Sequence, residues 1–114
     1  MLIYKILTAD QWSALQAHGE SAGAPVDLAD GFVHFSTAAQ VAETVSTYFA
    51  GQDGLMLLAI EAAALGDALK WEPSRGGQLF PHLYGSLRLG DVVSANPLPI
   101  GTDGHHRFPP GFAK

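Results

Sequence analysis

The sequence predicts a single α+β domain in which two main helices pack beside mostly antiparallel β-sheets. Segments of strand and helix character follow one another in the order βαβαββββ, so most of the strands are joined without an intervening helix. Two capping-box patterns mark where the helices begin. No repeat or linker divides the 114 residues, a length that suits one domain.

The first strand–helix unit occupies the N-terminal part of the chain. Residues 2–7 are mostly apolar and predict a strand. Thr8 and Gln11 form a capping box for a helix that ends near Gly19, and a loop over residues 21–24 follows.

The second unit repeats this scheme. A strand begins at Gly31, and Thr37 with Gln40 forms a capping box for a helix over residues 38–50. Apolar residues recur in this helix at helical spacing, and Gly51 suits the position just after its end.

The second half of the chain is predicted to be mostly β-structure. The run over 55–61 is continuously apolar, as in a central strand, and 62–67 suggests a short helical turn. Further strands are predicted over 69–72, 79–87 and 91–97, with a mobile loop over 73–77. Pro81 suits an edge strand or a bulge, and residues 99–114 form an irregular tail.

Composition excludes several classes of protein. The chain has no cysteine, so disulfides and thiolate metal sites are absent. A net charge of −5 with only six Lys and Arg gives no electrostatic footprint for bulk nucleic acid. The longest apolar run is too short to cross a membrane, and the N-terminus lacks a signal-peptide pattern. We therefore expect a cytoplasmic protein; its oligomeric state is not encoded in any recognisable pattern.

The segment 31–37, Gly-Phe-Val-His-Phe-Ser-Thr, is the most informative part of the sequence. His34 and Ser36 alternate with apolar residues, so a strand directs both side chains to one face. Thr37 then begins a helix, whose N–H groups favour an anion. This placement makes His34, Ser36 and Thr37 candidate ligand-binding residues; the alternative is a histidine satisfied by backbone carbonyls and hydroxyls that serve only as caps.

A second segment of similar character covers residues 80–85. His82 and Tyr84 share one face of its strand, and Glu72 is the carboxylate that precedes them. We predict catalytic roles for Glu72, His82 and Tyr84, against an alternative of a packed aromatic edge and an exposed strand-end charge. Arg75, among flexible glycines, is a candidate phosphate-binding residue, or part of a plain surface loop.

A metal site is a weaker interpretation of the same residues. His34, His82 and Glu72 supply a two-histidine, one-carboxylate set, but no close pair such as His-x-His supports it. We therefore predict no metal ligands and favour an organic ligand. Phosphoesterases with paired His-x-Ser/Thr motifs match only in part, because Tyr84 stands where the second small hydroxyl is needed.

These residues resemble a family without an assigned activity, domain of unknown function 952. The resemblance covers nearly the whole chain up to about residue 99. It is carried by Ile3-Tyr4-Lys5-Ile6, Trp12, Asp27, the segment Asp30 to Thr37, Gln40, Trp71-Glu72 and Phe80-Pro81-His82-Leu83-Tyr84-Gly85.

That family is in turn distantly similar to the ADP-ribosyltransferase-like fold, and most to the RNA 2′-phosphotransferases. The resemblance implies that His34 and Ser36 contact the ribose and nicotinamide side of NAD. Glu72 is a candidate for the transferase glutamate, without a matching motif around it. The chain departs from those enzymes in having no arginine before Arg75, whereas they use several arginines for phosphates.

Two hypotheses of different class follow. The first is a transferase or hydrolase that uses NAD or ADP-ribose, with NAD as a substrate and no certain cofactor. The second is a non-catalytic module that binds a small, nucleotide-like molecule or a partner through the same cleft, with aromatic residues supplying contact area.

Overall fold

Eight strands and three α-helices make up residues 1–109, the part of the chain that this computed structural model describes. The strands are β1 (Leu2–Leu7), β2 (Glu20–Ser21), β3 (Val33–His34), β4 (Leu55–Glu61), β5 (Leu69–Pro73), β6 (Leu79–Leu83), β7 (Leu87–Arg88) and β8 (Val92–Leu98). The α-helices are α1 (Ala9–His18), α2 (Pro25–Asp30) and α3 (Ala38–Tyr48), and 3₁₀ segments cover Ala62–Ala68, Arg75–Gly77 and Leu89–Asp91. Each sheet of the described part is antiparallel, which confirms the single-domain α+β prediction.

The first sheet has the strand order β1–β4–β8. Its central strand β4 is the continuous apolar run predicted from the sequence, and Leu55, Leu57, Leu58 and Ile60 are fully buried. The register of β8 on β4 shifts after Ala59, where the pairing is irregular. Burial of both faces of β4 makes this sheet the centre of the core.

The second sheet has the order β3–β6–β5, so β6 lies in its centre. The expectation that Pro81 marks an edge strand is therefore wrong. The Pro81 carbonyl accepts a hydrogen bond from the Phe35 N–H. The N and O of one residue in an antiparallel strand face the same neighbour. The donor that Pro81 lacks would therefore point toward Phe35, one residue beyond the end of β3. The proline therefore removes only the reciprocal bond to the Phe35 carbonyl, at the margin of the ladder.

The two sheets are joined beside the candidate site. Tyr4 on β1 and Ser36, two residues after β3, exchange two backbone hydrogen bonds of 2.8 and 2.9 Å. This bridge fixes Ser36 against the first sheet at the point where α3 begins.

Two short elements differ from the sequence prediction. The predicted strand 79–87 is broken, because the chain bends after Leu83 and its last part, β7, pairs with β2 instead. Helix α2 was not predicted. It begins with Pro25, which suits the first helical position, and the Asp27 carboxylate accepts from the Ala24 N–H at its start.

The two longer helices were predicted closely. Thr8 Oγ1 accepts from the Gln11 N–H and Gln11 Oε1 accepts from the Thr8 N–H, so the predicted capping box begins α1. Helix α3 ends at Tyr48 instead of residue 50, and Gly51 follows in a left-handed conformation at φ 76°. Such a difference of two residues is ordinary for a helix end.

The core has two parts, one on each side of the first sheet. The larger cluster includes Ile3, Leu15, Val33 and Leu83, and the smaller one lies under α3, with Val41 and others. None of the helices within residues 1–109 has both the length and the apolarity needed to cross a membrane. Of the predicted irregular tail, residues 99–109 contain one bridge, between Ile100 and His106, and residues 110–114 lie outside the described part.

Candidate functional site

A cleft of about 580 Å³ opens between the two sheets and helix α3. This volume is in the range of small-molecule sites. Its walls combine aromatic side chains with a few polar ones, of which the chemistry-bearing members are Lys5, Asp30, His34, Ser36, Thr44, Arg75 and His82.

The alternation of the second sheet explains which residues meet beside this cleft. His34 on β3 lies directly opposite His82 on β6, and Val33 opposite Leu83. Because successive side chains alternate between faces, Val33 and Leu83 enter the core while the two histidines share the polar face. Glu72 on β5 lies on that face, diagonal to His82.

Asp27 is the most deeply buried charged group of the site, with a fully inaccessible side chain. Its Oδ1 accepts from the His34 backbone N–H at 3.0 Å and contacts His34 Nδ1 at 2.6 Å. Its Oδ2 accepts from Lys5 Nζ at 2.8 Å and from the Ala24 N–H at 2.7 Å. One carboxylate therefore ties β1, α2 and β3 together.

The pKa values of the buried pair reflect this arrangement. Burial raises the pKa of Asp27, but the hydrogen bond with His34 and the charge of Lys5 together outweigh it and lower that pKa to about 2. Burial lowers the pKa of Lys5, and the charge of Asp27 opposes this change. Asp27 is consequently ionised throughout the neutral and mildly acidic range.

His34 has a carboxylate at each ring nitrogen. Nδ1 contacts Asp27, and Nε2 lies 3.0 Å from Asp30 Oδ2 on the last turn of α2. Since a carboxylate only accepts, both contacts are hydrogen bonds only when the ring carries both protons. Asp30 is about half exposed, so a ligand can displace it from Nε2 more easily than it can displace Asp27 from Nδ1.

His82 is held by Glu72. Its Nδ1 lies 2.7 Å from Glu72 Oε1, which also accepts from the Tyr84 hydroxyl at 2.8 Å. The hydrogen bond with His82, followed by that with Tyr84, lowers the pKa of Glu72, and the same contact raises the pKa of Tyr84. Because the Glu72 carboxylate is an acceptor, the neutral His82 ring carries its proton on Nδ1.

The other nitrogen of His82 is unusual. Nε2 is buried and has no hydrogen-bond partner among residues 1–109. The Phe32 ring stacks on His82 with a centroid distance of 4.1 Å, and His34 approaches edge-on at 5.3 Å. A buried polar atom without a partner is rare in folded proteins and calls for an explanation.

Arg75 lies at another part of the cleft wall, in the 3₁₀ segment after β5. It donates to Thr44 Oγ1 at 3.2 Å, and its guanidinium carbon is 5.0 Å from the Phe80 ring centroid and 5.6 Å from that of Tyr48. Thr44 Oγ1 is also 2.9 Å from Ser36 Oγ. A chain of two hydroxyls thus links the predicted Ser36 to the predicted Arg75.

The structure places the predicted site residues in two groups. His34, Ser36, Arg75 and His82 line one cleft. Glu72 and Tyr84 do not line it; Glu72 contacts His82, and Tyr84 contacts Glu72. Thr37 precedes α3, where its N–H donates to Gln40 Oε1, and it is not part of the cleft lining. The binding and catalytic roles assigned to these residues stay predictions.

Four contributors, Lys5, Asp27, Asp30 and Thr44, were not predicted as site residues. Lys5 carried a usable signal, because it is a lone charge on the core-facing side of an otherwise apolar strand. Asp27 and Asp30 entered only through the family resemblance, since nothing local shows that a short helix turns them toward His34. No three His, Asp or Glu side chains in residues 1–109 are grouped so that they could hold a metal ion.

Comparison with solved structures finds close likeness to one protein, CC0527 from Caulobacter crescentus. Its crystal structure is 48% identical to this chain, covers 94% of each chain and has a TM-score of 0.90. The crystal structure of a double mutant (47% identity, 94% of each chain, TM-score 0.89) agrees. Its solution NMR structure is 50% identical over 91% of this chain and 90% of that one, with a TM-score of 0.83.

No curated protein matches the chain significantly. A family model described as "Protein of unknown function (DUF952)" matches residues 6–95. The chain therefore belongs to the DUF952 family.

Proposed function

We propose that this protein is a small-molecule enzyme in which His82, held by Glu72, transfers a proton in the cleft. The observation that carries the proposal is the buried Nε2 of His82, which has no hydrogen-bond partner in the described part of the chain. Leaving such an atom unpaired costs about 1–3 kcal/mol, and a catalytic role is one recognised reason for a fold to tolerate that cost.

The orientation of His82 supports a role as general base. Glu72 accepts from Nδ1, so Nε2 of the neutral ring has a free lone pair. A histidine whose second nitrogen is held by a carboxylate is the usual arrangement for activating water or a hydroxyl group. Glu72 then acts through His82 as a positioning residue, and Tyr84 helps to orient Glu72.

The substrate class that we propose is nucleotide-like, with NAD and ADP-ribose as the first compounds to test. The resemblance to the ADP-ribosyltransferase-like fold supports this choice, as does the lining of the cleft by His34 and Ser36. With NAD, water or an acceptor hydroxyl would bond to ribose C1′ while its proton moves to His82 Nε2. Nicotinamide would leave as a neutral molecule with the electrons of the broken bond.

The experiment measures nicotinamide release from NAD, with and without acceptors, and consumption of ADP-ribose. Wild type is compared with His82→Gln, Glu72→Gln and the control His18→Gln, whose histidine is exposed at the end of α1. We expect turnover to fall by about 10²–10⁴-fold in His82→Gln and by a smaller factor in Glu72→Gln, with ligand affinity within about threefold. Absence of turnover of either compound by wild type would contradict the NAD and ADP-ribose proposal.

A non-catalytic binding module is the second candidate. It is favoured by His34, both of whose ring nitrogens already have carboxylate partners. This candidate predicts that NAD or ADP-ribose stabilises the protein, by about 2.7 kcal/mol at a hundredfold excess over Kd, without being consumed. Thermal unfolding with each ligand, followed by chromatography of the same samples, separates the two candidates.

A further inference from the structure

We infer that Arg75 binds one anionic group of the ligand, a carboxylate or a phosphate, and that the cleft pairs no second anionic group. This inference rests on the proposed function and narrows its substrate class.

Arg75 differs from the other basic residue of the lining, Lys5. The ammonium group of Lys5 is buried between the Asp27 carboxylate at 2.8 Å and the His34 carbonyl at 3.0 Å, so its charge is already matched. The nearest acid to Arg75 is Glu43 at 3.7 Å, whose side chain is 62% exposed. An exposed partner at that distance is weakly bound and well screened by solvent. The charge of Arg75 is therefore only weakly paired within the protein and is available to a ligand.

The guanidinium group is fixed without being used up. The rings of Phe80 and Tyr48 lie against it, and one N–H donates to Thr44 Oγ1. This is its one hydrogen bond to a described residue, and arginine has five N–H donors. The remaining donors form a planar edge, which matches the two oxygens of a carboxylate or a phosphate.

Thr44 and Ser36 act as positioning residues for Arg75. Thr44 Oγ1 donates to the Gln40 carbonyl at 3.2 Å, so it accepts from both Arg75 and Ser36. Ser36 is buried and anchored by its bridge to Tyr4. Through Thr44 and Ser36, Arg75 is thereby held in position relative to both sheets.

A second anionic group finds no equivalent partner in this cleft. Asp30 contributes a negative charge to the lining, and among the described lining residues no other uncommitted Lys or Arg is present. The second phosphate of a diphosphate ligand would lie in solvent or near Asp30. The second phosphate of a nucleotide-like ligand, as in NAD or ADP-ribose, should therefore add little affinity to that of the first.

The test compares the affinities of adenosine, AMP, adenosine 5′-carboxylate and ADP-ribose by calorimetry. We expect AMP or the carboxylate to bind wild type at least about tenfold more tightly than adenosine, as one charge-assisted contact provides. ADP-ribose should gain no more than about twofold over AMP. Arg75→Gln should remove the preference for AMP or the carboxylate over adenosine, and the affinity for adenosine should stay the same. Arg88 is an exposed arginine outside the cleft lining, and the control Arg88→Gln should keep the preference.

Equal affinity for AMP, the carboxylate and adenosine would overturn the inference. So would an unchanged preference in Arg75→Gln, a tenfold advantage of ADP-ribose over AMP, or no binding of any probe at millimolar concentration. Failure of the proposed function has a different signature. In that case the protein still binds AMP or the carboxylate more tightly than adenosine, but wild type shows no turnover that His82→Gln reduces.

Discussion

His34 and His82 lie directly opposite each other on β3 and β6, with their ring centroids 5.3 Å apart. Carboxylates from different elements hold them, Asp27 on α2 for His34 and Glu72 on β5 for His82. The two rings nevertheless differ in what they offer a ligand. His34 has a carboxylate at each nitrogen, whereas His82 has one nitrogen without a described partner. We therefore propose a structural contribution for His34 and proton transfer for His82.

His34→Ala should destabilise the fold. The substitution removes the side-chain donor to buried Asp27, which leaves part of that carboxylate unpaired at a cost of about 1–3 kcal/mol. Urea unfolding measures this loss, with His18→Ala, at an exposed helix end, as the control expected to stay within about 0.5 kcal/mol. If both variants unfold at the same urea concentration as wild type, His34 has no such role.

The stability of the protein should fall in acid because of Asp27. Its pKa is lowered from 3.8 to about 2 on folding, so it contributes stability above about pH 4 that is lost as the pH falls toward 2. The shift corresponds to about 2 kcal/mol. Lys5 stays protonated in the unfolded chain across this range.

Urea unfolding of wild type and of the double variant Lys5→Met/Asp27→Leu, at several pH values, isolates this contribution. The double variant avoids an unpaired buried charge, which single substitutions would leave at a cost of about 3–5 kcal/mol. As the pH falls toward 2, the free energy of unfolding of wild type should fall relative to that of the double variant by about 2 kcal/mol. A pH-independent difference would count against the Asp27 assignment. Asp53→Asn, at an exposed turn, serves as the control.

Gly23→Ala should be more harmful than Gly31→Ala. Both glycines have positive φ values, 112° and 86°, so both substitutions strain the backbone. A Cβ at Gly23 would also overlap the Asp27 side chain, whereas a Cβ at Gly31 meets nothing within 4 Å. We expect Gly23→Ala to cost about 1–3 kcal/mol more in thermal or urea unfolding. Equal losses would mean that the loop before α2 moves freely away from Asp27.

Tyr84 should lose its proton at a higher pH than an ordinary tyrosine. Its hydroxyl donates to Glu72, and removal of that proton would place two negative charges together, so its pKa is raised. Ultraviolet titration of wild type and Tyr84→Phe identifies its contribution. Glu72→Gln should move that transition down in pH, and the control Glu43→Gln should not. If the Tyr84 transition occurs at the same pH in Glu72→Gln as in wild type, the hydrogen bond between Tyr84 and Glu72 is contradicted.

The sequence predicted the larger elements because their signals are local. The capping box at Thr8 and Gln11 and the apolar run of β4 each depend on neighbours in the chain, and both were found where expected. The alternation of residues around His34 and around His82 predicted the polar face of each strand, and the pairing of β3 with β6 brings the two histidines together. Pro81 misled for the opposite reason, because its tolerance depends on where another strand, β3, ends.

The part of the site that was not predicted depends on contacts between residues far apart in the sequence. Lys5 and Asp27 are 22 residues apart, and their contact requires the folded arrangement of β1 and α2. Glu72 was expected to face the cleft, but its side chain lies behind His82 because the two residues sit diagonally on paired strands. No sequence pattern distinguishes a carboxylate that meets the ligand from one that orients a histidine.

The central claim, that His82 presents a free Nε2 lone pair, can be tested without a known substrate. Long-range ¹H–¹⁵N NMR on the ¹⁵N-labelled protein identifies which nitrogen carries the proton, at a pH where the ring is neutral, with His82→Gln providing the assignment. The account predicts protonated Nδ1 and unprotonated Nε2 in wild type, and loss of this preference in Glu72→Leu, which has no acceptor at this position. A proton on Nε2 in the neutral wild-type ring would contradict it.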